Sequence, residues 1–129
     1  MNKKINIGAG FKWFKNGWDV LDNGTGKKNE TWKHYGLCWD NKLKSNNYEI
    51  VYTSHMIEHV PHFRLEKTFS EFNRILKKNG LLRISTPDLE KTAKAYINND
   101  KSFFRTSQIH TNEDLSIGGM FLDTIISPG

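Results

Sequence analysis

Five residues near the start of the chain, Asn6-Ile7-Gly8-Ala9-Gly10, constrain its fold more than any other stretch. A short apolar segment containing Ile5 and Ile7 runs straight into Gly8-x-Gly10, and the next apolar segment closes on Asp22. A third segment ends in Asp40, a fourth in Ser54-His55, and a fifth, Leu81–Thr86, follows Asn79-Gly80. A glycine pair alone marks many tight turns. A glycine turn with an acid at the end of the following strand is more specific. Glycine lets the backbone approach a ligand closely, and a carboxylate can accept hydrogen bonds from both hydroxyls of a ribose. The layout is that expected of a nucleoside-binding α/β sheet.

The rest of the chain fills in that sheet. Lys3–Gly8 reads as the first strand, Trp18–Asp22 as the second, Tyr35–Trp39 as the third and Tyr48–Ser54, β-branched and aromatic, as a buried fourth. Only Phe11–Gly17 joins the first two, room for a turn or two of helix, whereas a parallel crossover usually takes a dozen residues or more. Asn23–His34 reads as a polar loop. Pro61–Lys78 has the clearest helical period: Leu65, Phe69, Phe72 and Leu76, with Ile75, form an apolar stripe, and Glu66, Lys67, Glu71, Arg74 and Lys78 take the wet side. Asn79-Gly80 is the expected left-handed cap. Asp88 should cap a helix over Leu89–Ile97. Beyond Asn98 the pattern weakens, and Ile117–Ile126 is arguable as helix or strand. Alternating strands and helices imply a mainly parallel, five-stranded, Rossmann-like sheet flanked by helices. Ligands of such sheets bind beyond the carboxyl ends of the strands, where Gly8–Gly10, Asp22, Asp40 and Ser54-His55 all fall.

At 129 residues the chain reads as one domain. It has no apolar run long enough to span a membrane and no apolar leader before the glycines. Cys38, the one cysteine, suits a reducing cytoplasm and reads as a buried small hydrophobe on the third strand. The net charge of +5 is uneven. Residues 1–44 carry nine lysines against four acids, whereas the remainder balances at ten of each, and all four tryptophans lie in the basic third. Lysines interleaved with aromatics suit a polyanion whose bases can stack, and Lys12, Lys15, Lys27, Lys28 and Lys33 are the candidate contacts. A solvated lysine face over ordinary core aromatics fits the same residues.

The ordered pieces resemble a class I S-adenosylmethionine-dependent methyltransferase of the type 11-like group, minimal or shortened at its C-terminal side. They are Ile5–Gly10, Gly17–Asp22, Trp39-Asp40, Tyr48–Val60 and Leu76–Asp88, together spanning residues 5–97. The resemblance implies a cofactor-binding core over 1–97 and an extension over 98–129, without the last two strands common in relatives. It places Gly8-Ala9-Gly10 beneath the methionine end of S-adenosylmethionine. Asp22 and the adjacent Asn23 would lie at the ribose, Asp40 at the adenine amino group with Trp39 beside it, and Ser54 and His55 at the sulfonium.

Methyl transfer from a sulfonium is an in-line displacement, so the protein aligns the partners and sometimes supplies a base. The Asp/Asn-Pro-Pro-Tyr and Pro-Cys signatures of base-directed amino and C5 methylation are absent after the fourth strand. Oxygen or ring-nitrogen acceptors remain, with His55 and Glu58 as the candidate catalytic groups, because an imidazole can accept a proton at working pH. His55-x-x-Glu58-His59 also spells an inverted zinc-protease motif, but His55 here ends a buried strand instead of lying in a helix. A divalent-metal reading would need His110 as a further ligand; no metal is expected. The expected activity is methyl transfer to RNA. A small molecule or sugar is the alternative acceptor, and a binding module with little turnover is the other alternative. Nucleic acid is the expected partner, a membrane is not, and self-association stays open.

Overall fold

The structure is a computed structural model that describes residues 2–10, 13–23, 33–105 and 116–126. The chain divides into two compact units, Met1–Ser85 and Thr86–Gly129.

The first unit is built on a five-stranded sheet of order β3-β2-β1-β4-β5, every pair parallel. The strands are β1 (Lys4–Ile7), β2 (Trp18–Asp22), β3 (His34–Tyr35), β4 (Tyr48–Ser54) and β5 (Leu76–Ser85). Alternation along the strands sends Ile5, Ile7, Leu21 and Val51 to one face, where they pack with Phe72 and Ile75 of α1 (Leu65–Ile75). Tyr48, Cys38, Leu43 and Val60 complete that core.

Four expectations need correction. The third strand is only His34–Tyr35; Leu37–Asp40 forms a tight turn closed by the Asp40 N–H donating to the Leu37 carbonyl. Cys38 is therefore buried in a turn, not on a strand, and burial pushes its thiol up, away from the reactive thiolate. No helix forms over the described part of the β1–β2 link, Trp13–Gly17, which ends in a turn with Gly17 at φ 78°. Helix α1 stops at Ile75, three residues early, because the N–H groups of Asn46 and Asn47 donate to the carbonyls of Arg74 and Ile75 and draw them out of the helix. Leu76 then pairs with Tyr48, residues 77–80 bulge outward with Asn79 at φ 64°, and the regular ladder begins at Leu81 opposite Ile50.

The buried face of α1 also differs from the expected stripe. It is Thr68, Glu71, Phe72 and Ile75, while Phe69 is exposed. Glu71, expected on the wet side, is buried because Arg74 closes a two-pronged ion pair on it, Nε to Oε1 at 2.9 Å and Nη2 to Oε2 at 2.7 Å. The same guanidinium donates to the Leu43 carbonyl at 2.7 Å, Ser45 Oγ at 3.0 Å and Asn41 Oδ1 at 3.0 Å. One side chain thus ties α1 to the loop that follows Asp40.

At the amino end of the strands, Asp19 gathers three donors or partners. Tyr48 Oη donates at 2.9 Å, Lys33 Nζ donates at 2.8 Å, and His34 Nε2 lies at 3.5 Å. Burial by itself raises the Asp19 carboxyl, but bonding to Lys33, Tyr48 and His34 outweighs it and leaves it below its ordinary value. A carboxyl lowered in the fold contributes stability above its unfolded value of about 3.9, and that contribution is lost as pH falls through the folded value. Asp19→Asn is expected to cost about 1–2 kcal/mol at neutral pH and to flatten the acid limb of stability. Urea unfolding from pH 7 to pH 3 checks this; an unchanged pH profile would remove Asp19 from the acid response.

The second unit is helical: α2 (Leu89–Ile97), α3 (Lys101–Arg105) and α4 (Ile117–Ile126). Asp88 caps α2, its carboxylate accepting the Lys91 N–H at 3.0 Å. Ala95, Phe104 and Met120 form its core with Phe103, Ile117 and Phe121, and α4 resolves the ambiguous segment as helix.

Candidate functional site

The carboxyl ends of β1, β2 and β4 come together at one rim. Gly8 and Gly10 follow β1 at φ 72° and 73°, the left-handed region that suits glycine, with Ala9 between them. The Gly8 N–H donates to the Leu21 carbonyl at 2.9 Å, and the Gly10 N–H donates to Asp22 Oδ2 at 2.8 Å. The glycine turn and the acid that closes β2 are therefore one hydrogen-bonded unit. A Cβ on Gly8 would fall within 2.8 Å of Met56 Cβ, so the segment after β4 lies against the turn. Met56 is a rim residue that sequence reasoning missed; only a contact between separate strand ends reveals it.

Asn6 carries a second missed signal. It is 2 % exposed in β1, and its Oδ1 is a buried acceptor with no partner. Asn23 is exposed beside Asp22. Asp40 is exposed at the 37–40 turn, and Trp39 packs against the core of the first unit. The Gly36 N–H donates to the Asp22 carbonyl at 3.1 Å, which ties the start of that turn to the end of β2. Asp40 is positioned through this backbone link and through the Arg74 clamp on the loop that follows it.

Beyond β4, Ser54 pairs with Ser85, and the His55 N–H donates to the Ser85 carbonyl at 2.9 Å. His55 is half exposed and left-handed, φ 51°. A short 3₁₀ turn, Ile57–His59, brings Glu58 back beneath it. Glu58 Oε1 lies 3.6 Å from His55 Nδ1 and 4.0 Å from His59 Nε2. Both Glu58 oxygens are buried without a hydrogen-bond partner. The carboxyl thus lies against one ring nitrogen of His55 and can set the orientation of the imidazole.

Of the candidate polyanion contacts, Lys15 is exposed, and Lys33 spends its charge on Asp19. Lys12, Lys27 and Lys28 lie outside the described residues, as does His110. Among the described residues no three acids, histidines or cysteines are grouped to hold a metal ion, and no helix is long and apolar enough to cross a membrane.

A parallel sheet of order 3-2-1-4-5, with a glycine turn after its central strand hydrogen-bonded to the acid that closes its neighbour, defines a Rossmann-like nucleoside-cofactor domain. Residues 5–115 match the methyltransferase-domain family, and the chain belongs to it. Solved structures share the fold. One, described as an S-adenosyl-L-methionine-dependent methyltransferase of Methanococcus maripaludis, is 17% identical over 84% of this chain and 62% of its own, with a TM-score of 0.54. A second, described as a methyltransferase from an antibiotic biosynthesis pathway of Anabaena variabilis, is 16% identical over 96% of this chain and 54% of its own, with a TM-score of 0.51. The complex of DhpI with SAM and HEP is 14% identical over 78% of this chain and 53% of its own, with a TM-score of 0.53. The chain thus spans about half to three-fifths of the length of these structures. No curated protein matches the sequence.

The methyl donor of this family is S-adenosylmethionine, and the residues present fit it. The turn offers left-handed glycines for close backbone approach, Asp22 offers a carboxylate for a diol, and Asn6 holds a buried acceptor without a partner two residues before Gly8.

Proposed function

We propose that this chain transfers the methyl group of S-adenosylmethionine to RNA in the cytoplasm. The observation that carries the transferase half is the Gly10 N–H to Asp22 bond, which joins the two cofactor-binding elements into one rim. Gly8-Ala9-Gly10 would hold the methionine end, Asp22 with Asn23 the ribose, and Asp40 with Trp39 the adenine. When bound, the cofactor supplies an electrophilic methyl group. His55 borders the acceptor side together with Ser54 and takes the proton of the acceptor hydroxyl at an imidazole nitrogen. Glu58, buried against Nδ1, orients the ring and balances the charge it gains. The RNA half is supported by the excess of lysine and tryptophan in residues 1–44. The single cysteine, buried, supports a reducing compartment.

A second reading, a small-molecule acceptor, is favoured by the pathway named for the Anabaena variabilis neighbour. Incubation with S-adenosylmethionine tritiated on its methyl group, followed by separate counting of RNA, protein and small-molecule extracts, tests both. Label in RNA is the expected result. Label only in the small-molecule extract would replace RNA as the acceptor, and no label in any extract would leave a binding module. His55→Ala is expected to reduce transfer at least tenfold with cofactor affinity unchanged; unchanged transfer would end the role of His55 as a base.

A further inference from the structure

Apart from Asn6, the face of the sheet turned away from α1 carries residues that the rim does not use. Register places Trp18, Lys4, Ile50 and Leu81 in one row across β2, β1, β4 and β5, and Val20, Asn6, Tyr52 and Arg83 in the next. With no helix over Trp13–Gly17, that link sends Trp13 to Trp18 instead. The two rings meet edge to face at 5.8 Å, and Trp18 meets Tyr52 in the same manner at 6.3 Å. Three cations surround this aromatic row. Lys4 Nζ and Lys15 Nζ each lie 5.8 Å from the Trp18 ring, and Arg83 Cζ lies 5.6 Å from Tyr52. None of the three is paired with a carboxylate among the described residues. Lys15 and Arg83 are exposed, and Leu81 in the same face is 57% exposed.

We propose that this face binds single-stranded RNA, with bases stacked on the Trp13–Trp18–Tyr52 row and phosphates held by Lys4, Lys15 and Arg83. Rings beside unpaired cations match a strand that offers π faces and negative charge at short regular intervals. A second copy of the chain fits poorly, since symmetric docking would set these cations against themselves. An anion without bases would leave the rings unused. The inference rests on RNA as the acceptor class, and it moves the contact surface away from the lysines singled out in the sequence. Of those, only Lys15 belongs to it.

The test uses the full chain and a fluorescein-labelled twelve-nucleotide RNA of mixed sequence, with anisotropy read across a salt series. The double variant Lys15→Glu/Arg83→Glu changes two exposed side chains and should keep the fold, checked by S-adenosylmethionine affinity equal to wild type. It is expected to weaken RNA binding at least tenfold and to make the slope of log affinity against log salt shallower by about 1.4, two phosphate contacts at about 0.7 each on a single strand. RNA should also quench the intrinsic tryptophan fluorescence, whereas heparin at equal charge should not. Undiminished RNA binding by the folded double variant would overturn this surface while leaving the RNA reading intact. No RNA binding by wild type would overturn both. Equal quenching by heparin would remove the stacking and with it the proposal.

Discussion

Replacing Asp22 by alanine is expected to weaken S-adenosylmethionine binding tenfold or more while the domain remains folded. Two contributions disappear together. The carboxylate would no longer accept from the ribose hydroxyls, bonds to a charged group worth about 1.5–3 kcal/mol. The Gly10 N–H, 2.8 Å from Asp22 Oδ2, would also lose this acceptor, loosening the turn proposed to hold the methionine end. Asp22→Asn separates the two effects, since its amide oxygen still accepts the Gly10 N–H but lacks the charge. Its affinity should fall between wild type and alanine. Calorimetry across the three proteins decides; equal affinity for wild type and alanine would remove Asp22 from the site.

Arg74→Ala is expected to cost about 2–4 kcal/mol of stability, because it strips the buried Glu71 carboxylate of its two-pronged partner and leaves only the exposed Lys67, 4.0 Å away. Glu71 is 7% exposed, so its carboxylate cannot turn to water without disturbing α1. The loss also frees Leu43, Asn41 and Ser45, whose oxygens the guanidinium holds. Arg74→Ala should therefore weaken cofactor binding too, by releasing the loop beside Asp40. Urea unfolding of both single variants and of Glu71→Gln/Arg74→Ala gives the coupling. The double variant should lose less than the sum of the singles; strict additivity would show that the pair does not act as a unit. Hydrogen bonding from Arg74 holds the Glu71 carboxyl below its ordinary value against the opposing effect of burial. This contribution is present above the unfolded carboxylate value and fades as pH falls through the folded one.

Strands β2 and β4 and helix α2 are legible residue by residue, because each is specified locally. Trp18–Asp22 and Tyr48–Ser54 carry β-branched and aromatic runs with polar ends, and Asp88 caps the helix it precedes. The misreadings share a cause in contacts between distant parts of the chain. Nothing within Pro61–Lys78 announces that Asn46 and Asn47 will end the helix at Ile75. The column Leu65-Phe69-Phe72-Leu76 is apolar at helical spacing, yet the buried column is rotated from it because Arg74 makes burial of Glu71 tolerable. An acid and an arginine three apart are the only local sign of that pair. Asp40 read as a strand end because Tyr35–Trp39 is apolar; the Asp40 N–H donating to the Leu37 carbonyl and the Asn41 side-chain amide donating to the Cys38 carbonyl close a turn there instead. At the site, residue types revealed the glycine turn and Asp22, whereas the Met56 contact and the orphaned oxygens of Asn6 and Glu58 needed three dimensions.

Four residues other than glycine hold left-handed backbone in the described structure: Asn46, Asn79, Asn99 and His55. Asparagine tolerates that region, since its short side chain bonds locally to the backbone. Histidine has less to offset it, and such a conformation costs on the order of 1 kcal/mol. If folding alone chose the residue after β4, glycine or asparagine would serve better there. The chain instead keeps an aromatic nitrogen heterocycle at the point of strain, with its ring raised half into solvent over a buried carboxylate. Backbone strain at this position is what a residue kept for the proton-accepting role proposed for His55 would have to bear.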